Sequence, residues 1–483
     1  MDQPLWRPAE EQQQHSNMMR FMEYVNRKHR LSLSDYPSLY EWSIKHKKDF
    51  WVDVWNFCEV LASQPWQSVI DKTDGLPGYE WFKGSRLNFA ENLLKHARAD
   101  NHNPAIVFRG EDRAQCAISY ADLYKEVAKL SAALRDAGVT QGDRVAGFMP
   151  NMPETIIAML ATTSIGAIWS SCSPDFGVNG VLDRFGQIEP KVLFCCDGYF
   201  FKGKTIDASS TVQQIAARIP GLQHIVVTPY VAQTDPSSAP DLSVIPNAIT
   251  YDEFTGQQQP ASIQFAQLPF MHPVYIMYSS GTTGKPKCIV HGAGGTLLQH
   301  LKELVLHTDV KPNERVFYFT TCGWMMWNWL VSNLAVGATV MLYDGAPLYP
   351  EADSLFAYAD QEQFSVFGTS AKYLSAVEKS GEVPNAKYQL DSLRCMLSTG
   401  SPLLPESYDY VYQKIKPDLQ LSSISGGTDI ISCFALGNPL KPVYKGELQS
   451  IGLGMEVMVL DDQGNPVQQQ KGELSCKPPF PSM

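Results

Sequence analysis

Between Val274 and Lys287 the chain reads Val-Tyr-Ile-Met-Tyr-Ser-Ser-Gly-Thr-Thr-Gly-Lys-Pro-Lys, an apolar stretch opening into hydroxyl, glycine and lysine residues. These residue types suit a polyphosphate. Gly281 and Gly284 let backbone N–H groups turn toward an anion, Ser279, Ser280, Thr282 and Thr283 add donors, and Lys285 and Lys287 bring positive charge. A P-loop of the Walker type is excluded by spacing and by chemistry. Only two residues separate the glycines, and Pro286 stands where a metal-binding hydroxyl would follow the lysine. The plainer reading of so short a stretch is a Gly/Ser/Thr surface turn.

Three later segments bear on that choice: Ser398-Thr-Gly-Ser-Pro402, Ser423-Ile-Ser-Gly-Gly-Thr-Asp429 and Gly472-Glu-Leu474. Singly, each reads as a strand-end turn. In this order, and with ten contiguous positions from Tyr278 to Lys287, they resemble the adenylate-forming superfamily, which includes acyl-CoA synthetases and luciferases. Cys288 departs from the glycine usual there. The resemblance implies that Ser279, Ser280, Gly281, Thr283, Gly284 and Lys285 hold the ATP phosphates and that Thr282, Lys287 and Thr428 serve catalysis. It further implies that Thr399, Gly400, Ser401 and Pro402 pack on adenine, with Ser423, Ile424, Ser425 and Gly427 beside the nucleotide. Asp429 replaces the usual glutamate as the Mg2+ ligand; one methylene shorter, it must sit nearer the ion or act through water, because Mg2+ keeps octahedral geometry. Its competing role is a helix N-cap after Gly-Gly-Thr.

A narrower resemblance rests on Trp81 to Asn88, Ser173 to Phe176, Thr320 to Trp329 and Gly472 to Met483, which are similar to the acetoacetate-activating branch of the acyl-CoA synthetases. It runs from about Trp6 to the end of the chain. It implies a short-chain acyl pocket walled by Met325, Met326 and Trp327, with Asn328 or the Trp327 indole N–H as donor to a keto oxygen. Composition reads the same cluster equally well as the start of a buried helix. Gly426 stands where acetate-specific relatives carry a tryptophan, which implies room for acetoacetate or butyrate. For coenzyme A the resemblance implies Trp169, Ser170, Ser171 and Lys204, although an exposed lysine is ordinarily just solvated.

The implied reaction joins a carboxylic acid to the ATP α-phosphate and passes the acyl group to coenzyme A. Acetoacetate is the first choice of acid, with butyrate or another short-chain acid as the alternative. Relatives continue into a ribose-binding aspartate, a hinge and a small mobile C-terminal domain bearing a lysine for adenylation. The expectation is therefore an N-terminal domain with that C-terminal domain absent and little activity alone. A nucleotide-binding module is the alternative from a different class.

The elements that must position these residues follow a βα rhythm, and the expected fold class is α/β: two parallel-sheet βα subdomains plus a smaller β-rich lobe. Residues 1–118 read as a helical, aromatic lobe, 119–250 as the first βα subdomain, 251–436 as the second with the phosphate loop, and 437–483 as the start of the β-rich lobe. Ser119 and Asp122 form a capping box for a helix ending at Gly138, and strands are expected at Arg144–Phe148, Lys191–Cys196, Val274–Tyr278 and Arg394–Ser398 among others. Thr228 to Pro246 reads as a loop. The net charge of −11, from 39 Lys and Arg against 50 Asp and Glu, disfavours a nucleic-acid partner. Ten cysteines without a C-x-x-C pair suit a reducing compartment, and the polar start lacks a signal or transit pattern, so a cytoplasmic location is expected. The longest apolar stretch, Thr155 to Trp169, is too short for a membrane span. Oligomeric state is not legible.

Overall fold

Two seven-stranded sheets carry the α/β part of the chain, each parallel except at one edge. The computed structural model describes residues 3–75, 78–111, 114–234, 241–256, 258, 260, 262–279 and 284–483. In the first sheet the order is Ala248–Thr250, His224–Thr228, Val192–Cys196, Arg144–Phe148, Ile168–Cys172, Pro273–Ser279 and Lys287–Gly292. In the second it is Gln420–Ser423, Cys395–Thr399, Val366–Ser370, Arg315–Tyr318, Thr339–Asp344, Pro104–Gly110 and Gln115–Ser119. Val192–Cys196 and Ile168–Cys172 are buried along their whole length, as parallel strands covered on both faces should be. The vicinal Cys195 and Cys196 are part of that burial.

Helix Tyr120–Asp136 shows how local sequence sets these layers. Ser119 Oγ accepts the Asp122 backbone N–H at 3.1 Å, and Leu123, Val127, Leu130 and Leu134 fall on one buried face. The reciprocal arm differs from a true capping box: the Ser119 hydroxyl donates to the Asp122 carboxylate at 2.7 Å, because aspartate is too short to reach back to the backbone. Helix Pro153–Ile165 is buried at every position except Glu154, so most of its hydroxyls turn to nearby backbone carbonyls, Thr162 alone having no partner among the described residues. Thr163 donates to the Met159 carbonyl at 2.9 Å and Ser164 to the Ala161 carbonyl at 2.7 Å. No helix among the described residues is long and apolar enough to cross a membrane.

The sheets cut across the expected subdomain boundaries. Pro273–Ser279, which leads into the phosphate loop, lies in the first sheet and not the second, with Tyr275 opposite Trp169. Pro104–Gly110 and Gln115–Ser119, expected in the aromatic lobe, complete the second sheet beside Thr339–Asp344. Register between buried apolar faces decides partnership, whereas chain adjacency does not. Helix Val178–Ile188 and the hairpin of Gly198–Phe201 with Lys204–Asp207 were not expected. The expected loop from 228 to 246 carries a helix, Tyr230–Thr234, and a 3₁₀ turn, Leu242–Val244; residues 235–240 lie outside the described residues. The antiparallel character begins before residue 437, in the hairpin of Ser425–Gly427 with Ser432–Leu436, and continues in Glu456–Leu460, Pro466–Val467 and Glu473–Lys477.

The N-terminal aromatic lobe packs on helix Ala293–Leu301 and its continuation, the π-helical turn Lys302–His307. That turn buries His307, whose Nδ1 faces the Gly437 carbonyl at 2.8 Å while Nε2 accepts the Leu453 N–H at 3.1 Å. Burial pushes the His307 imidazolium pKa down to about 3, with Lys302 acting in the same direction and the Gly437 carbonyl and Glu303 against it. His300 is likewise pushed by burial to about 4.

The unfolded chain takes up these protons near pH 6.5 and the fold refuses them, so stability is lost as pH falls from 6.5 toward 4 and 3, by about 1.4 kcal/mol per pH unit for each ring. Chemical unfolding at pH 7, 6 and 5 is expected to show that decline. His307→Gln, which keeps one donor and one acceptor, should make the slope shallower by about one proton. An unchanged slope would assign the decline to other groups.

Candidate functional site

Four neighbouring parallel strands, Arg315–Tyr318, Val366–Ser370, Cys395–Thr399 and Gln420–Ser423, end at one edge of the second sheet, where a cavity of about 730 Å³ opens. Ligands of open α/β sheets bind at such strand ends. The segments leaving these strands supply its walls: Tyr318 to Thr321, Thr369 and Ser370, Thr399 to Pro402, and Ser423 to Thr428. Trp324, Met325 and Met326 close another side, Trp324 at 59% exposure. The sequence-based nucleotide residues Thr399, Gly400, Ser401, Pro402, Ser423, Ile424, Ser425, Gly427 and Thr428 therefore all line one space.

Backbone geometry fixes the 399–402 wall. Gly400 has φ 89°, a left-handed conformation that glycine adopts without strain. Thr399 Oγ1 donates to the Ile424 carbonyl at 3.2 Å and Ile424 N–H to the Ser398 carbonyl at 2.8 Å, locking this loop to the next. Asp429 is exposed on the turn between Ser425–Gly427 and Ser432–Leu436; no helix begins there, so the N-cap alternative falls. Behind the turn sits His291, 3% exposed and pushed by burial to about pKa 4 against the pull of the Thr428 backbone and Asp429. Its Nε2 has no partner among the described residues. The strand Lys287–Gly292 thus brings the exit of the phosphate loop against the Thr428 turn.

Of the loop itself, Ser280, Gly281, Thr282 and Thr283 lie outside the described residues. Ser279 ends the strand Pro273–Ser279, while Gly284, Lys285 and Lys287 are exposed. The amide of Gln187, on helix Val178–Ile188, donates to the Pro286 carbonyl at 2.9 Å and steadies this exit. Among the described residues no group of three or more His, Cys, Asp or Glu is arranged for a metal. The exposed Asp429 carboxylate on the turn next to the cavity is of the kind that suits Mg2+, which is commonly held by one or two carboxylates plus substrate phosphates.

Several expected residues lie elsewhere. Trp327 is fully buried and its indole N–H donates to Asn151 Oδ1 at 3.0 Å, so it neither walls the cavity nor has a donor to spare. Asn328 turns to a separate small void with Tyr275 and Trp169, because two helical steps past Met326 the side chain points away from the cavity. Trp169, Ser170 and Ser171 line that same void of about 10 Å³, too small for a pantetheine chain. Their polar atoms are occupied: Trp169 N–H meets Ser171 Oγ at 3.2 Å, Ser170 meets Tyr278 Oη at 2.8 Å, and Ser171 meets the Cys322 carbonyl at 2.6 Å. Lys204 is exposed on the Gly198–Phe201/Lys204–Asp207 hairpin. Gly426 does line the cavity, but a Cβ there would collide with the Ser432 carbonyl oxygen and stand 2.8 Å from Cys433 Cα. Glycine is required by the close approach of two strands at a register shift, so a side chain here would point at backbone and not into the cavity. Sequence reasoning missed Tyr318, Phe319, Thr369 and Leu448, whose only signal was proximity to strand ends.

Residues 93–481 match the AMP-binding enzyme family and residues 36–93 the N-terminal region of acetyl-coenzyme A synthetases. The chain is 51% identical over 482 residues to an acetoacetyl-coenzyme A synthetase of Rhizobium meliloti, covering 100% of this chain and 73% of that one. It is 47% identical to an acetoacetyl-CoA synthetase of Danio rerio, covering 99% and 71%. A solved acetoacetyl-CoA synthetase from Streptomyces lividans superposes with a TM-score of 0.93 at 39% identity, over 100% of this chain and 73% of that one. The chain therefore spans about 71–73% of the length of these relatives.

The adjacent glycines 426 and 427 give a direct check on the hairpin. Gly426→Ala is expected to lower stability by about 1–3 kcal/mol, since the obstacle is backbone that must shift. Gly427→Ala, with nothing within 4 Å of its added carbon, should be close to neutral. Unfolding curves of the two variants in parallel decide it, and equal losses would mean the strand approach is not what demands glycine.

Proposed function

The chain belongs to the AMP-binding enzyme family, and on that premise we infer that it is an AMP-forming acid–thiol ligase that adenylates acetoacetate with ATP and transfers the acyl group to coenzyme A. The observation carrying this reading is the single cavity at four parallel strand ends, where the 399–402 loop, the 423–428 segment and Met325 with Met326 face one another. One wall is polar backbone and hydroxyl, suited to a nucleotide; another is thioether and indole, suited to a short acyl chain.

In the first half-reaction the acid's carboxylate oxygen bonds to the α-phosphorus as the bond to pyrophosphate breaks. In the second the coenzyme A thiolate bonds to the acyl carbon and AMP leaves. Gly400 and its neighbours are assigned to adenine, and Thr428 to the α-phosphate. Lys285 and Lys287, both exposed at the loop exit, are assigned to the outer phosphates, where their charge offsets that of the leaving pyrophosphate. Asp429 with the ATP phosphates would hold Mg2+, whose chemistry there is charge neutralisation. With Trp327 and Asn328 turned away, the acyl wall is reduced to Trp324, Met325 and Met326. Coenzyme A is a substrate, but its contacts stay unassigned apart from Lys204. All ten cysteines are unpaired, which supports a reducing, cytoplasmic setting.

Exchange of labelled pyrophosphate into ATP, run with acetoacetate, butyrate and acetate, tests the reading, and acetoacetate is expected to support the fastest exchange. Nucleotide binding by calorimetry without exchange for any acid would favour a binding module instead. Equal exchange with butyrate would remove recognition of the keto group. Lys287→Ala is expected to weaken ATP about tenfold while changing AMP much less, as fits loss of one charged hydrogen bond to an outer phosphate. Equal losses would make Lys287 structural.

A further inference from the structure

Helix Ala293–Leu301 runs buried and largely apolar into the π-helical turn Lys302–His307, and π turns often re-aim a side chain near a functional site. The side chain re-aimed here is Glu303, 0% exposed. Its Oε1 accepts the Ser432 hydroxyl at 2.5 Å and the Cys433 N–H at 2.9 Å, and its Oε2 accepts the Trp329 indole N–H at 3.0 Å. Lys302 Nζ lies 3.3 Å from Oε1. Burial alone would raise the Glu303 pKa; Lys302, Ser432, His300 and the Cys433 N–H outweigh it and hold the group below the ordinary carboxylate range.

Those partners belong to two walls of the cavity. Ser432 and Cys433 begin the strand that returns from the Thr428–Asp429 turn. Trp329 lies on helix Met325–Val331, which presents Met325 and Met326 to the acyl side. One turn earlier, His300 repeats the connection: its Nε2 faces the Ile431 carbonyl at 2.9 Å and its Nδ1 faces Ser332 Oγ at 2.8 Å, directly after that helix. Gln299 adds a contact to Ser432 at 3.1 Å. Stability alone gives little reason for this arrangement, because a buried ion pair is often replaced by apolar packing at no cost. What apolar packing cannot do is fix two elements at a set separation through directional bonds.

We propose that Glu303 is a positioning residue, seconded by His300, that sets the acyl wall at a fixed distance from the Thr428–Asp429 turn, so that acid and α-phosphate meet in line. It touches neither substrate. The inference rests on the ligase reading above, and it adds to that reading a coupling between the two walls that neither wall's own residues supply.

The test compares two probes by titration calorimetry: AMP, and a stable acyl-sulfamoyl adenosine that imitates the acyl adenylate and spans both walls. Glu303→Gln retains the Oε1 acceptor for Ser432 and Cys433 but turns an NH2 toward the Trp329 N–H. Trp329→Phe removes the same bond from the other side while keeping an aromatic ring in place. Each variant is expected to bind the mimic about tenfold more weakly while AMP affinity changes by less than about threefold, because only the mimic needs both walls in register. Equal weakening of both probes, in proportion to lost folded fraction, would make the network structural and overturn the proposal. So would an undiminished mimic affinity in Trp329→Phe, the variant that answers the question if Glu303→Gln folds poorly. A native protein that binds AMP but gains nothing from the acyl group would instead remove the acyl wall of the ligase reading, and the coupling with it.

Discussion

Strands Arg315–Tyr318, Val366–Ser370, Cys395–Thr399 and Gln420–Ser423 pair in parallel through backbone hydrogen bonds, and that pairing obliges all four to release their chain at the same sheet edge. Segments far apart in sequence become walls of one cavity without any of them having to seek the others. The phosphate-loop hairpin arrives from the other sheet, and only the antiparallel return of Lys287–Gly292 and the buried His291 bring it against the Thr428 turn. On the proposed reading, adenine and the acyl chain are both met at one rigid sheet edge, and the outer phosphates by a hairpin resting on it.

Much of this was legible in the residues. Runs such as Val192–Cys196 announce a buried parallel strand, and Ser398 to Pro402 and Ser423 to Asp429 announce strand-end turns, because strand burial and glycine turns are local properties written in residue type. Their gathering around one space was what the resemblance to the adenylate-forming superfamily implied. Sheet membership was not legible: Pro273–Ser279 is apolar enough for either sheet, and only its register beside Ile168–Cys172 decides. Helix Val178–Ile188 was missed although Val181, Phe185 and Ile188 lie at helical spacing, since Gly180 and Gly186 interrupt the pattern.

Within the site, failures came where direction mattered more than position. Trp327 and Asn328 stand in the right segment, but a helix turns about 100° per residue, so the two residues after Met326 leave the cavity. Trp169 to Ser171 belong to a fully buried strand whose hydroxyls are consumed by neighbouring carbonyls and hydroxyls. Glu303 gave a signal that went unread: a charged pair, Lys302 and Glu303, in a segment otherwise rich in leucine. A buried charge needs partners, and those partners lie more than a hundred residues away or on another helix, beyond the reach of local pattern.

The close approach of the two strands at Gly426 also bears on how such a cavity changes over evolutionary time. A substitution there cannot simply trade space for selectivity, since the new side chain meets a peptide carbonyl before it meets any substrate. Altered acid preference would need a second change that relaxes the returning strand, and until that occurred the first would be selected against for its effect on folding. Met325 and Met326 face the cavity through flexible thioethers, and single replacements there reshape it without moving backbone. The cavity can thus be reshaped through one helix more readily than through the hairpin opposite, whose own packing admits few substitutions at Gly426.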